Sequence, residues 1–210
     1  AATNAAGTGI DSAASAAVTP RTVPGAPTGV TGTAGNTQVA LTWTAPASNG
    51  GSAITGYTVT PYIGATAQTP IAFASTATSQ TITGLTNGTA YTFKVKATNA
   101  AGTGADSAAS AAVTPRAVPG SPTGVTGVPG NTQVALSWTA PASNGGSAIT
   151  GYTVTPYIGA TAQTPIAFAS TSTAQTITGL TNGTAYTFKV AATNAAGTGI
   201  DSLASAAVTP

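Results

Sequence analysis

Apolar and polar side chains alternate most strictly over residues 90–97, where Tyr91, Phe93, Val95 and Ala97 interleave with Ala90, Thr92, Lys94 and Lys96. A period of two belongs to a strand with one buried and one solvated face. Asn87 and Gly88, a pair that tolerates positive φ, precede this strand, and Leu85 lies six residues ahead of Tyr91 across that turn. A leucine, a tight turn and an inward tyrosine predict the corner of a sandwich. Residues 38–44 alternate too, with Val39, Leu41 and Trp43 inward and the tryptophan at the centre of the core. Residues 54–62 predict a third strand with Tyr57 and Val59 inward and, by the same parity, Tyr62 outward. Short strands are predicted at 71–73 and 80–82, and residues 107–113 read as the closing strand. Residues 45–52 and 64–70 read as loops, and 99–104 as a glycine-bearing hairpin turn.

The pattern returns 95 residues later. Residues 84–97 recur as 179–192 with one change, Lys96 to Ala191. Residues 21–115 and 116–210 are thus two repeats, differing at ten positions such as Thr33/Val128 and Ala108/Leu203. The second core repeats the first, with Trp138, Tyr152, Leu180, Tyr186 and Phe188 inward and Tyr157 outward. Residues 1–20 match 191–210 except at Ala13, and read as the C-terminal strand segment of a preceding repeat. Close duplication suggests a longer array. Ala1 and Ile10 match Ala191 and Ile200, whereas the middle copy has Lys96 and Ala105, so repeats either alternate in two kinds or drift at a few positions.

Each repeat holds about seven short strands with turn signals between them and no helical periodicity, the signature of an antiparallel β-sandwich. The fold class is therefore all-β, two sandwiches in tandem. Residues 21–27, with Pro24 and Pro27, read as a stiff linker and edge-strand lead-in.

Composition narrows the chemistry. Charged residues are 4% of the chain, the net charge is +2, and no apolar run approaches the ~18 residues of a membrane span. A surface of small hydroxyls, amides and methyls offers no basic field for nucleic acid or anionic lipid, and little repulsion against side-by-side packing. There is no cysteine, so the fold does not lean on disulfides, which leaves export open.

Inward Trp43, Gly56-Tyr57-Thr58-Val59, the corner from Leu85 to Tyr91, and Thr98-Asn99-Ala100-Ala101-Gly102 entering the last hairpin together resemble the fibronectin type III domain. The resemblance covers both repeats and, through residues 1–20, the end of a third. Pro24-Gly25-Ala26-Pro27-Thr28-Gly29-Val30 and Ala45-Pro46-Ala47-Ser48-Asn49-Gly50-Gly51 resemble the bacterial branch found in surface proteins, adhesins and secreted polysaccharide-degrading enzymes. The resemblance implies an extracellular or cell-surface bacterial setting and a role as spacer, stalk or adhesive unit. It does not carry over integrin binding, because the last hairpin reads Ala101-Gly102-Thr103-Gly104 and lacks Arg-Gly-Asp.

Catalytic residues are not in evidence. The chain has no His, Cys or Glu, and its acids are Asp11, Asp106 and Asp201, one per repeat at equivalent positions. Isolated aspartates in separate domains supply neither paired carboxylates nor a nucleophile with its base, and they cannot converge as a calcium loop does. No enzyme, no metal and no cofactor is expected, and Asp106 reads as a turn acid. Asn87-Gly88-Thr89 and Asn182-Gly183-Thr184 fit the N-glycosylation pattern, but Asn-Gly is already demanded by the corner turn. Outward Tyr62 and Tyr157 are candidate contacts for a sugar or a neighbouring chain, against simple partial burial under the adjoining loop. Lys94 and Lys96 read as solubilising residues on the outer face.

An isolated terminal strand such as residues 1–20 has no core to bury. It is either part of a long array or a strand added to another copy in trans. The leading expectation is a structural repeat protein of an extracellular fibre, sheath or adhesin stalk, whose partners are copies of itself and whose beads are about 30 to 40 Å long. The alternative is a spacer or glycan-binding module of a secreted polysaccharide-degrading enzyme or adhesin. The likeness of the copies also keeps open a designed consensus protein.

Overall fold

The computed structural model describes residues 1–210, all strands and turns without a helix. Two two-residue strands come first, β1 (Thr3–Asn4) and β2 (Gly7–Thr8). Repeat one then contains β3 (Thr28–Gly35), β4 (Gln38–Thr44), β5 (Gly56–Ile63), β6 (Thr66–Ala67), β7 (Ile71–Phe73), β8 (Ser79–Thr83), β9 (Thr92–Asn99) and β10 (Gly102–Thr103). Repeat two follows the same course with β11 (Thr123–Gly130), β12 (Gln133–Thr139), β13 (Ile149–Ile158), β14 (Thr161–Ala162), β15 (Ile166–Phe168), β16 (Ala174–Thr178), β17 (Thr187–Asn194) and β18 (Gly197–Thr198). In each repeat a three-stranded sheet faces a five-stranded one: β3-β4-β8 against β10-β9-β5-β6 with β7 also on β5, then β11-β12-β16 against β14-β13-β17-β18 with β15 on β13. Every pairing is antiparallel.

The core lies where the two alternations meet. From β4 come Val39, Leu41 and Trp43, from β9 Phe93, Val95 and Ala97, and from β5 Tyr57 and Val59, all buried, with Ile82 and Leu85 closing the lower end. Trp43 meets Tyr57 edge to face at 5.2 Å between ring centroids, and Trp138 meets Tyr152 at 5.1 Å. Leu180, Tyr186 and Phe188 are buried in the second core as Leu85, Tyr91 and Phe93 are in the first. Two separate clusters mean two separately packed beads.

Pro61 sits in β5 between β9 on one side and β6 and β7 on the other, a place where a missing N–H ordinarily breaks a ladder. Its carbonyl accepts the Gln68 N–H at 2.8 Å. In an antiparallel strand the N–H and C=O of one residue point the same way, so the proline nitrogen faces the gap between β6 and β7 and no bond to β9 is lost.

Three sequence expectations change. Within 64–70, Gly64 turns with φ 57 and Thr66–Ala67 pairs back on Tyr62 and Ile63, so a hairpin stands where a loop was expected. The third strand starts at Gly56 in repeat one, two residues later than expected, whereas β13 starts at Ile149, the equivalent of Ile54. Residues 107–113 form no ladder of period two, and only Val113 bridges Tyr91. Instead Ser107, Ser110 and Val113 are buried at every third position. Each serine bonds β9 twice: Ser107 exchanges with Val95, its N–H donating to the Val95 carbonyl and its Oγ accepting the Val95 N–H at 3.0 Å, and Ser110 does the same with Phe93. A three-residue rhythm presents one side of an extended chain, with the side-chain hydroxyl taking the donor that a ladder residue would take.

Candidate functional site: the joint between the sandwiches

The corner is built outward from Tyr91. Its hydroxyl accepts the Thr86 N–H at 3.1 Å, five residues upstream, and Tyr186 does the same for Thr181 at 3.2 Å. That bond fixes the loop carrying Asn87, whose amide is used at both ends: Oδ1 accepts the Thr37 N–H and Nδ2 donates to Asn36 Oδ1, both at 2.8 Å. The Thr37 carbonyl accepts the Leu85 N–H at 3.0 Å. Thr37, at the tip of the β3–β4 hairpin, stands at φ 54, a left-handed conformation that costs a β-branched residue about 1–3 kcal/mol. Its bonds to Leu85 and Asn87 hold it there.

The same corner receives the next repeat. The Gly88 N–H holds the end of repeat one, donating to the Pro115 carbonyl at 2.9 Å as Gly183 does to Pro210 at 3.0 Å, and the Arg116 N–H of the next repeat donates to the Gly35 carbonyl at 3.0 Å. Ala117 is held from the other side: its N–H donates to Gly145 O at 2.8 Å, and its carbonyl accepts Asn194 Nδ2 at 2.8 Å. Gly145 and Gly146 both have positive φ. A Cβ on Gly145 would meet Ala117 O at 2.1 Å, and one on Gly146 would meet Gly88 N at 2.4 Å. Gly146 thus packs backbone on backbone across the joint, Gly145 packs on the linker within repeat two as Gly50 does on Thr22 in repeat one, and the linker is bonded along its length rather than slack.

A buried polar residue in what the sequence presents as a hairpin turn ties the lead-in, the loop and the hairpin together. Asn99 is buried, and its Nδ2 donates to the carbonyls of Thr22 and Asn49 at 2.8 and 2.7 Å while Oδ1 accepts the N–H groups of Ala101 and Gly102. One side chain thus joins the lead-in, the loop after β4 and the last hairpin. Asn194 repeats the arrangement on Ala117 and Asn144.

Tyr62 and Tyr157 lie half-buried on the outer face of the larger sheet, each under a lysine, with Lys94 Nζ 5.2 Å from the Tyr62 ring centroid and Lys189 Nζ 5.1 Å from that of Tyr157. Each ring thus carries a cation over one face. Lys96 pairs with Asp106 at 3.7 Å, both partly exposed, and its counterpart Ala191 leaves Asp201 without that partner. No three His, Cys, Asp or Glu residues come together. The open depression at the joint is lined by small residues of both repeats, among them Ala34, Gly35, Ala117 and Ala196, with Arg116 its one charged group. No helix is long and apolar enough to cross a membrane.

The family profile of the fibronectin type III domain matches residues 25–113 and 120–208. Chitinase A1 of Niallia circulans is 41% identical over 167 residues, 76% of this chain and 22% of that protein. Exoglucanase B of Cellulomonas fimi is 40% identical over 187 residues, 84% of this chain and 16% of its own length, and Exoglucanase A of the same organism is 42% identical over 205 residues, 92% and 22%. The chain thus spans about a fifth of the length of the curated relatives it matches. With both matched segments falling on the two sandwiches and their corners, the chain belongs to the fibronectin type III family, as two domains in tandem.

Proposed function

We propose that the chain is a non-catalytic spacer of a bacterial extracellular polysaccharide-degrading protein, two sandwiches that hold other parts at a fixed distance and angle. The joint carries this reading: the linker is hydrogen-bonded to both beads and Gly146 lies against Gly88, so separation and orientation are set together. The similarity to chitinase and glucanase chains supports it over the fibre reading. Lysines lying over Tyr62 and Tyr157 support a spacer over a sugar-stacking surface. The test places the two repeats between a catalytic domain and a polysaccharide-binding domain and compares them with a glycine-serine linker of equal reach. Hydrolysis of soluble oligosaccharide should be the same in both, and hydrolysis of insoluble chitin or cellulose should fall with the flexible linker. Co-sedimentation of the isolated chain with either polymer would overturn the spacer reading in favour of a binding module.

The fibre reading keeps one supporting observation, the near-neutral surface that lets copies pack side by side. Sedimentation over a range of concentrations separates the two, since a spacer stays monomeric and a fibre subunit grows.

A further inference from the structure

Four Asn-Gly pairs occur in the chain, at Asn49-Gly50, Asn87-Gly88, Asn144-Gly145 and Asn182-Gly183. In an unfolded chain all four are alike: the glycine nitrogen, unhindered by a neighbouring Cβ, reaches the asparagine side-chain carbonyl carbon. The fold divides them into two classes.

At the corners, neither reacting group is free. Asn87 and Asn182 have Oδ1 on the N–H of Thr37 and Thr132 and Nδ2 on Asn36 and Asn131, which draws the side chain across to the neighbouring hairpin. The nitrogens that would attack, of Gly88 and Gly183, are committed to the carbonyls of Pro115 and Pro210 at 2.9 and 3.0 Å. In the loops after β4 and β12 both groups are held only by bonds within the loop itself. Asn49 and Asn144 are exposed, and each Oδ1 accepts the N–H two residues on, from Gly51 at 3.0 Å and Gly146 at 2.9 Å. This Asx turn keeps the side chain beside its own glycine instead of tying it to another segment. The Gly50 and Gly145 N–H groups donate only to the exposed hydroxyls of Ser48 and Ser143, at a long 3.2 Å.

We propose that Asn49 and Asn144 are sites of spontaneous deamidation and that the corner bonds protect Asn87 and Asn182. The glycine nitrogen bonds to the asparagine Cγ and gives up its proton, and the side-chain nitrogen leaves with a proton as ammonia. The succinimide so formed takes up one water, which opens it at either carbonyl to aspartate or isoaspartate. Each event adds one negative charge, and two cancel the net +2 of the chain. At Asn144 the isoaspartate adds a backbone methylene one residue before Gly145, whose carbonyl and Cα position hold the linker.

The experiment incubates the full chain in mildly alkaline buffer, folded and in concentrated guanidinium, and follows each asparagine by peptide mass spectrometry, reading the gain of one mass unit and the isoaspartate-specific change in elution. In the folded chain Asn49 and Asn144 should convert at least about tenfold faster than Asn87 and Asn182, the factor carried by one hydrogen bond that must first break. In guanidinium the four should converge. Equal rates in the folded chain, earlier conversion at Asn87 or Asn182, or no conversion at Asn49 and Asn144 while the denatured control reacts would each overturn the proposal.

Discussion

One hairpin occurs three times in this chain with the same words and two different fates. Thr3-Asn4-Ala5-Ala6-Gly7-Thr8 is identical to residues 98–103 and 193–198, and all three copies close with the same register, Thr3 opposite Thr8, Thr98 opposite Thr103, Thr193 opposite Thr198. In each the paired threonine hydroxyls lie within hydrogen-bond distance, 2.9–3.0 Å apart. Yet Asn4 is exposed and makes one bond, to the Ala6 N–H, whereas Asn99 and Asn194 are buried anchors. The segments that follow diverge as well: residues 10–20 are exposed throughout, and residues 105–115 dock on β9 through Ser107, Ser110 and Val113. Turn chemistry codes the hairpin locally; the anchor exists only where a sandwich supplies the Thr22 and Asn49 carbonyls.

Truncation gives the largest contrast. Removing residues 200–210 strips Val208 and the serine bonds to Phe188 and Val190 from repeat two. Burial of a valine and several hydrogen bonds together predict a loss of more than about 4 kcal/mol, enough to unfold that repeat in a urea titration. Removing residues 1–20, nearly the same words, should move the transition by less than about 0.5 kcal/mol. If both truncations cost the same, the contrast between docked and undocked copies is wrong.

Next comes the anchor itself. Asn99→Ala leaves two carbonyls without their donor and should destabilise repeat one by about 2–3 kcal/mol, against less than about 0.5 for Asn4→Ala. Tryptophan fluorescence in a Trp138→Phe background reports repeat one alone.

The serine rhythm is worth less per residue. Ser110→Ala orphans the Phe93 N–H and should cost about 1–2 kcal/mol, whereas Ser15→Ala, the matching position in the exposed copy, should be silent. Hydrogen exchange at Phe93 checks it directly, since its amide should lose protection in the first variant alone.

Smallest is the pair Lys96–Asp106, partly exposed on both sides. Lys96→Ala, the change already present at Ala191, should shift stability by no more than about 0.5 kcal/mol, and that little should vanish in high salt.

Legibility followed the range of the interaction. β4, β9 and the corner were readable because Val39, Leu41 and Trp43, like Tyr91, Phe93 and Val95, announce their face by period two, and because Asn87-Gly88 names its own turn. The closing segment departs from its expected strand because Ser107, Ser110 and Val113 keep a period of three among alanines, a signal visible in the spacing but foreign to a strand template. Asn99 reads as a turn residue alone because its further partners lie 50 and 77 positions away. The joint was hidden for a different reason: Gly145 and Gly146 matter through the side chains they lack, and in sequence that is indistinguishable from a loop breaker. The two tyrosines were placed on the outer face, but not under the lysines, since side-by-side register across β5 and β9 had first to be known.

The contact of Gly146 with the Asn87-Gly88 corner has a geometric consequence. Residues 179–190 copy that corner letter for letter, although Pro129 stands where Ala34 lines the joint, so a further bead docked through the same glycine contact would be added by a closely similar rotation and advance. Repetition of one fixed operation generates a screw, whose pitch is set by the glycine contact together with the linker bonds and whose length grows in equal steps with every bead.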